Sequence, residues 1–246
     1  MSKSFAPSLI QILLAWAVHL FTASGLIAGF MALIAMHDQD VRTAMFWLIL
    51  AFIIDGVDGT FARLCKVNEV LPHMDGKTID YVVDFANFAI IPAYIFYQSD
   101  LVFDDWRLPL TSIILLVSAI YYGKTGMVSD DQYFIGFPVL WNMVVYFLLF
   151  VFNFTYIINA ALIVFFAVAH FVPLKYIYPS QAQRWQTASS IMAGLFFALM
   201  CITVYFYPVR NVWLTMLSVI GLVYFATLTF LEQWSTIKKK KSKGRI

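Results

Sequence analysis

Residues 53–85 read "IIDGVDGTFARLCKVNEVLPHMDGKTIDYVVDF". The stretch puts Asp55, Asp58, Asp80 and Asp84 on or beside segments that otherwise have the composition of membrane spans. Asp55 and Asp58 are three residues apart and Asp80 and Asp84 four apart, so in helical conformation each pair shares a face. At ~1.5 Å of rise per residue, Asp55 lies roughly 12 Å from Arg63, and Asp84 roughly 10 Å from Lys77. An antiparallel pair of helices therefore brings all four carboxylates to a similar depth, just inside one membrane boundary.

Ionised aspartates are costly there, about 2.5–3.5 kcal/mol each at a helix centre and less towards the interface. Four that face one another also repel. A divalent cation offsets both terms, and hard oxygen ligands suit magnesium or manganese. Four carboxylates suffice for one ion or for a pair about 3.5–4 Å apart, the arrangement that clamps attacking and leaving oxygens in a phosphoryl displacement. Gly56 and Gly59 remove side chains beside the carboxylates and let a ligand approach the backbone. Arg63 adds a planar fork for phosphate.

Composition sets the surroundings. The chain has 246 residues, 62% hydrophobic and only 12% charged, against about 25% charged in an ordinary soluble domain. Apolar runs recur along the whole length, many near the ~20 residues that cross a bilayer as a helix. The expected fold is all-α and integral to the membrane. Spans are expected near 20–36, 43–63, 78–98, 107–123, 138–154, 157–173, 186–207 and 211–233, in a single domain over 1–246. Residues 5–19 are expected to form a separate interfacial helix. Lys3 precedes this run in the manner of a signal peptide, but the apolar stretch continues past a normal signal length, so no cleavage is expected.

Basic residues test that count. With eight spans and both termini cytoplasmic, Lys3, Arg63, Lys66, Lys77, Lys124, Lys175, Arg184 and the tail at 236–246 all fall inside. Only Arg42, Arg107 and Arg210 fall outside. The tail, "KKKKSKGRI" from Lys238, is expected to be a topology anchor, with contact to anionic lipid headgroups as its alternative use. Cys65 and Cys201 suggest no disulfide framework.

The aspartate stretch also resembles a known pattern. "DGVDGTFAR" followed by "GKTIDYVVD" is similar to the signature of the CDP-alcohol phosphotransferase family, D-x2-D-G-x2-A-R, a spacer, then G-x3-D-x3-D. Asp55, Asp58, Gly59, Ala62, Arg63, Gly76, Asp80 and Asp84 occupy the signature positions. Twelve residues separate Arg63 from Gly76, a spacer longer than is usual in the family. That spacer, with "DGVDG" and "VDFANF", resembles the bacterial phosphatidylcholine synthase branch. The resemblance implies transfer of a phosphatidyl group from CDP-diacylglycerol to choline, with release of CMP and with manganese or magnesium as cofactor, in two ions. It implies metal ligation by Asp55, Asp58, Asp80 and Asp84, with Asp84 also the general base. It assigns Asp58, Gly59, Ala62, Arg63 and Gly76 to the cytidine diphosphate. A homodimer in the bacterial inner membrane, with its active site facing the cytoplasm and no nucleic-acid partner, is what such a protein is expected to be.

Choline carries a quaternary ammonium, which aromatic faces and nearby carboxylates hold. "SDDQYFIGFPVLWNMVVYF", entering the fifth expected span, offers Asp131, Tyr133, Trp141 and Asn142, and Tyr81 lies beside the aspartates. Aromatic belts at membrane interfaces have the same look. Lys175 and Arg184 suit either a phosphate or topology. Thr22 and Ser24 either face the nucleotide or pack helices. Two alternatives stay open: a sibling enzyme that uses serine or another alcohol, and a transporter for choline or a cation. Transport sites sit near the membrane midplane, whereas these aspartates collect at one side.

Overall fold

The structure, a computed structural model, describes residues 7–129, 133–177 and 186–243, with side chains in the last stretch described as far as 235. Two compact units divide the chain, with the boundary in sequence between Ile91 and Pro92.

The first unit begins with helix α1 (Leu9–His37). Pro7 precedes a capping box in which the Ser8 hydroxyl accepts from the Gln11 N–H at 3.3 Å and the Gln11 side chain accepts from the Ser8 N–H at 2.8 Å. The expected interfacial helix at 5–19 and the span at 20–36 are here one element of 29 residues. No proline interrupts the run after Pro7. The glycines within it, Gly25 and Gly29, sit where a neighbouring helix comes close. An added Cβ on Gly25 would lie 2.8 Å from Val83, and one on Gly29 would overlap the Asn87 side chain. The Asn87 amide donates to the Gly25 carbonyl at 3.0 Å. Small residues thus convert a weak helix position into close helix packing.

Helix α2 (Val41–Leu64) packs along α1. Its cap is Asp40, which accepts from the Thr43 N–H at 3.0 Å and from the Thr43 hydroxyl at 2.6 Å. These bonds, the hydroxyl's first, hold the Asp40 carboxyl below the usual carboxylate range. The spacer after α2 turns at Lys66, in left-handed conformation with φ 50°, and forms the short helix α3 (Val67–Val70). Val67, Val70 and Leu71 are buried against Ala15 and Val18 of α1. The early part of α1 is therefore a platform for the spacer.

Helix α4 (Gly76–Phe85) starts at Asp75, which accepts from the Lys77 N–H at 3.0 Å and the Thr78 hydroxyl at 2.7 Å. A π-helical turn at Ala86–Ile90 leads into α5 (Ile91–Gln98), so one helical run extends from Gly76 to Gln98.

The second unit holds α6 (Asp104–Tyr122), α7 (Trp141–Tyr146), α8 (Tyr156–Ala169), α9 (Gln186–Phe206) and α10 (Val212–Lys243). A π-helical turn at Phe147–Val151 extends α7. Strands β1 (Tyr133–Ile135) and β2 (Lys175–Ile177) form an antiparallel pair, with Phe134 opposite Tyr176. This small ladder, with a further antiparallel bridge between Val128 and Phe134, departs from an all-α fold. Its core is aromatic: His170, fully buried, stacks on Trp141 with ring centroids 5.3 Å apart and meets Tyr121 and Phe137 edge-on.

Among the described residues, five helices are long and apolar enough to cross a membrane: α1, α2, the run Gly76–Gln98, α9, and α10 as far as Ser235. They make the chain a multi-pass α-helical membrane protein. Helices also lie near the other three expected spans. α6 opens on Asp104, Asp105 and Arg107. At 138–154 and 157–173 the helices cover only Trp141–Val151 and Tyr156–Ala169. Both are shorter than expected. An extended break at Phe152 and the Thr155 cap, whose hydroxyl accepts from the Ile158 N–H, separate them. The β-ladder takes the residues beyond their other ends.

Candidate active site

The four aspartates all belong to the first unit. Asp55 is on α2, and Asp80 and Asp84 are on α4. One carboxylate oxygen from each of these three lies within 4.8 Å of the others. The Asp55 and Asp84 carboxyls are in hydrogen-bond contact. The Oδ1 oxygen of Asp84 is buried and has no donor. No cationic side chain enters this trio among the described residues.

Such a set fits a divalent cation. The donors are hard oxygens, they converge, and one is a buried acceptor left open. The arrangement is costly as a bare cluster of ionised carboxylates, and a bound ion of opposite charge removes that cost.

Asp58 stands apart from the trio. It is buried, 6% exposed, and meets the Thr22 hydroxyl of α1 and the backbone N–H of Gly59. The sequence expectation of four carboxylates at one depth thus becomes three in contact and a fourth bonded to α1, with Asp58 still within electrostatic reach of Asp80. Arg63 lies over Gly59, its Nη1 3.4 Å from where a Cβ would be, and its Nη2 donates to the Thr60 hydroxyl at 3.0 Å. A Cβ on Gly56 would meet nothing within 4 Å. The glycine face of α2 is thus open at Gly56, with the exposed Arg63 side chain beside Gly59.

Ala62 has a second duty. It packs against the cluster of Ala15, Val18, Val67, Val70 and Leu71, where a small side chain lets the spacer close onto α1. Gly76 begins α4 beneath the His19 ring, whose Cε1 is 3.2 Å from the position of an added Cβ. His73 is exposed in the spacer, and both cysteines are free thiols.

The residues expected around choline fall in different settings. Tyr81, 44% exposed, is on α4 one turn before Asp84. Trp141 is fully buried, stacked on His170, and its indole N–H donates to the Ser118 hydroxyl at 2.8 Å. Asn142 is buried with its Oδ1 lacking a donor. Tyr133 is buried against Leu228 and carries the Lys175 ammonium 5.4 Å above its ring. These three belong to the second unit. Asp131 and Arg184 lie outside the described residues.

Sequence reasoning left Thr22 and Ser24 of α1 between the nucleotide and helix packing, and did not weigh His19. Thr22 meets Asp58, whereas the Ser24 hydroxyl bonds back to the Phe21 carbonyl at 2.6 Å. The available signal was His19, three residues before Thr22 and so on the same face, in an otherwise apolar run.

No family model matches the chain. Among curated proteins it is 33% identical over 231 residues to the phosphatidylcholine synthase of Borreliella burgdorferi, covering 94% of this chain and 98% of that protein. It is 31% identical over 244 residues to the phosphatidylcholine synthase of Legionella pneumophila, covering 95% and 94%. To that of Rhizobium meliloti it is 39% identical over 171 residues, covering 69% and 70%. Signature, carboxylate geometry and similarity over nearly the whole length agree, and the chain belongs to the phosphatidylcholine synthase family of CDP-alcohol phosphotransferases.

Proposed function

We propose that the chain transfers the phosphatidyl group of CDP-diacylglycerol to choline, with release of CMP, at the aspartate cluster of its first unit. The observation that carries the site assignment is the open, buried Oδ1 of Asp84 beside Asp55 and Asp80.

Asp55, Asp58, Asp80 and Asp84 hold the metal, Mn2+ or Mg2+, as one ion or a pair. When bound, it supplies neutralisation of the pyrophosphate and of the departing CMP. Asp84 takes the proton of the choline hydroxyl. The hydroxyl oxygen forms its bond to the phosphorus that bears diacylglycerol, and the bond from that phosphorus to the bridging oxygen breaks, its electron pair leaving with CMP. Arg63 holds nucleotide phosphate at the glycine face, and Gly59, Ala62 and Gly76 let the nucleotide lie against backbone. Because metal and base are shared among close carboxylates, the group titrates as a unit.

For choline the exposed ring of Tyr81 is the contact on the aspartate-bearing helix. Eight spans with both termini cytoplasmic give the basic distribution its sense, and put the cluster at the cytoplasmic face of the bacterial inner membrane. In this reading 1–246 is a single catalytic domain, acting as a homodimer, with the tail at 236–246 as topology anchor.

The test is transfer of labelled acceptor in membranes expressing the chain, given CDP-diacylglycerol and Mn2+, with choline, serine, inositol and glycerol 3-phosphate in parallel. Label entering lipid from choline alone, and lost in Asp84→Asn, is the expected result. Transfer from serine instead would keep the chemistry and overturn the acceptor. No transfer from any alcohol by folded protein would overturn the proposal.

A further inference from the structure

His19 is a polar residue in the apolar helix α1, and nothing in the chemistry above uses it. It is 6% exposed, and its Nε2 is buried with no hydrogen-bond partner. Burying an imidazole nitrogen without a partner costs free energy comparable to a lost hydrogen bond. The ring is set in place: Trp16 meets it edge-on at 6.1 Å between centroids, and Gly76, lacking a Cβ, makes room for its Cε1 edge.

Its level in the site follows from the helices. His19 lies beside Gly76, four residues before Asp80, which is roughly 6 Å along the axis of α4. Thr22, one turn further along α1, lies at Asp58. His19 is thus about one helical turn from the carboxylates, on the side of the spacer and away from the buried run towards Gln98. A liponucleotide whose pyrophosphate is at the carboxylates and whose acyl chains stay among the apolar helices must send its nucleoside the other way. The group next to the pyrophosphate on that side is the ribose.

We propose that His19 is a substrate-binding residue whose Nε2 hydrogen-bonds a ribose hydroxyl of CDP-diacylglycerol, with Gly76 kept free of a side chain so that the imidazole and the sugar meet. The inference rests on the proposed transferase reading and extends it to α1. A neutral imidazole nitrogen donates or accepts according to its tautomer, and a ribose hydroxyl does both, so the pair is satisfied in either tautomer.

The experiment uses the full chain in nanodiscs with Mn2+. Binding of CDP and of 2′-deoxy-CDP and 3′-deoxy-CDP is measured by calorimetry, and KM for CDP-diacylglycerol and for choline by transfer assay. The wild type is expected to bind CDP about tenfold more tightly than at least one deoxy analogue, the worth of one hydrogen bond to a buried partner. His19→Ala is expected to raise KM for CDP-diacylglycerol by about the same factor and to bring CDP and the deoxy analogue to equal affinity, while KM for choline stays within twofold ~ of wild type. His19→Gln, which keeps a hydrogen-bonding side chain, is expected to restore part of the preference. Ser24→Ala, on the same helix and bonded only to its own backbone, serves as control.

If His19→Ala binds CDP less well but keeps the full ribose preference, the residue is structural and the proposal is overturned. If the wild type makes no distinction between CDP and either deoxy analogue, the proposal is overturned without reference to any variant. If the wild type binds no CDP at all, the transferase reading of the site falls with it. A wild type that binds CDP with no ribose preference sinks only the role of His19.

Discussion

Gly56 and Gly29 are both helical glycines, and replacing each with alanine should give opposite results. On α2, a Cβ at Gly56 meets nothing within 4 Å, so Gly56→Ala adds only helix propensity, worth up to ~1 kcal/mol in favour of folding. The methyl would, however, occupy the open face next to Asp55. If substrate lies against that backbone, the overpacked contact costs about 1–3 kcal/mol, or about 5- to 150-fold in kcat/KM. On α1, a Cβ at Gly29 overlaps the Asn87 side chain, which donates to the buried Gly25 carbonyl at 3.0 Å. Parting the helices combines overpacking with the loss of that bond, roughly 2–5 kcal/mol in total. At ~2–4 °C per kcal/mol for a chain of this size, Tm should fall by roughly 4–20 °C. Both variants would be followed in nanodiscs by tryptophan fluorescence on heating, and by phosphatidyl transfer at a temperature where both are folded. A Gly56→Ala protein that unfolds early, or that keeps full activity, would refute the view that this glycine exists for a ligand. An unchanged Tm for Gly29→Ala would refute the close packing of α1 on the helix that carries Asn87.

Chelation with EDTA should abolish transfer, and Mn2+ should restore it. Mn2+ binding followed by electron paramagnetic resonance should weaken at least about tenfold in Asp55→Asn, Asp80→Asn and Asp84→Asn, and unaltered binding in all three would remove the metal site. Asp75 caps the aspartate-bearing helix, and the Thr78 hydroxyl above all holds its carboxyl below the usual range. A depressed folded-state pKa means that its contribution is present above the ordinary carboxylate range and is lost as pH falls through the folded value. Asp75→Ala should therefore lower Tm at pH 7, with the difference from wild type shrinking on acidification below about pH 4; a gap that widens instead would contradict the cap. Ser118→Ala leaves the buried Trp141 indole N–H without its 2.8 Å acceptor and should cost about 1–3 kcal/mol in thermal unfolding.

The carboxylate site was legible because spacing fixes helix faces. Asp55, Asp80 and Asp84 could be placed together from intervals of three and four residues on two antiparallel helices. Asp58 escaped because what distinguishes it from Asp55 is a third helix, and no periodicity within 53–85 encodes a contact with Thr22. The same limit hid His19. An isolated histidine in an apolar run has no sequence partner to pair it with Gly76, 57 residues away. The division of α1 into two pieces failed for another reason. Residues 5–19 were measured against a bilayer, whereas the spacer that buries Ala15 and Val18 lies beyond residue 65. Trp141 illustrates the ambiguity of aromatic residues: composition marks it for an interface or a cation, and the structure stacks it on His170.

The unbroken course of α1 also orders events during synthesis. The ribosome completes the whole helix, from Ser8 to His37, before any of the four aspartates has been made. The α2 hairpin then delivers Asp55 and Asp58, but the trio needs Asp80 and Asp84, which arrive only with the next helix. A nascent chain paused before Gly76 thus has a finished scaffold and no ion-binding centre. The carboxylate trio is thus the last part of the first unit to be assembled, and it exists only once the helix that carries Asp80 and Asp84 has met α2.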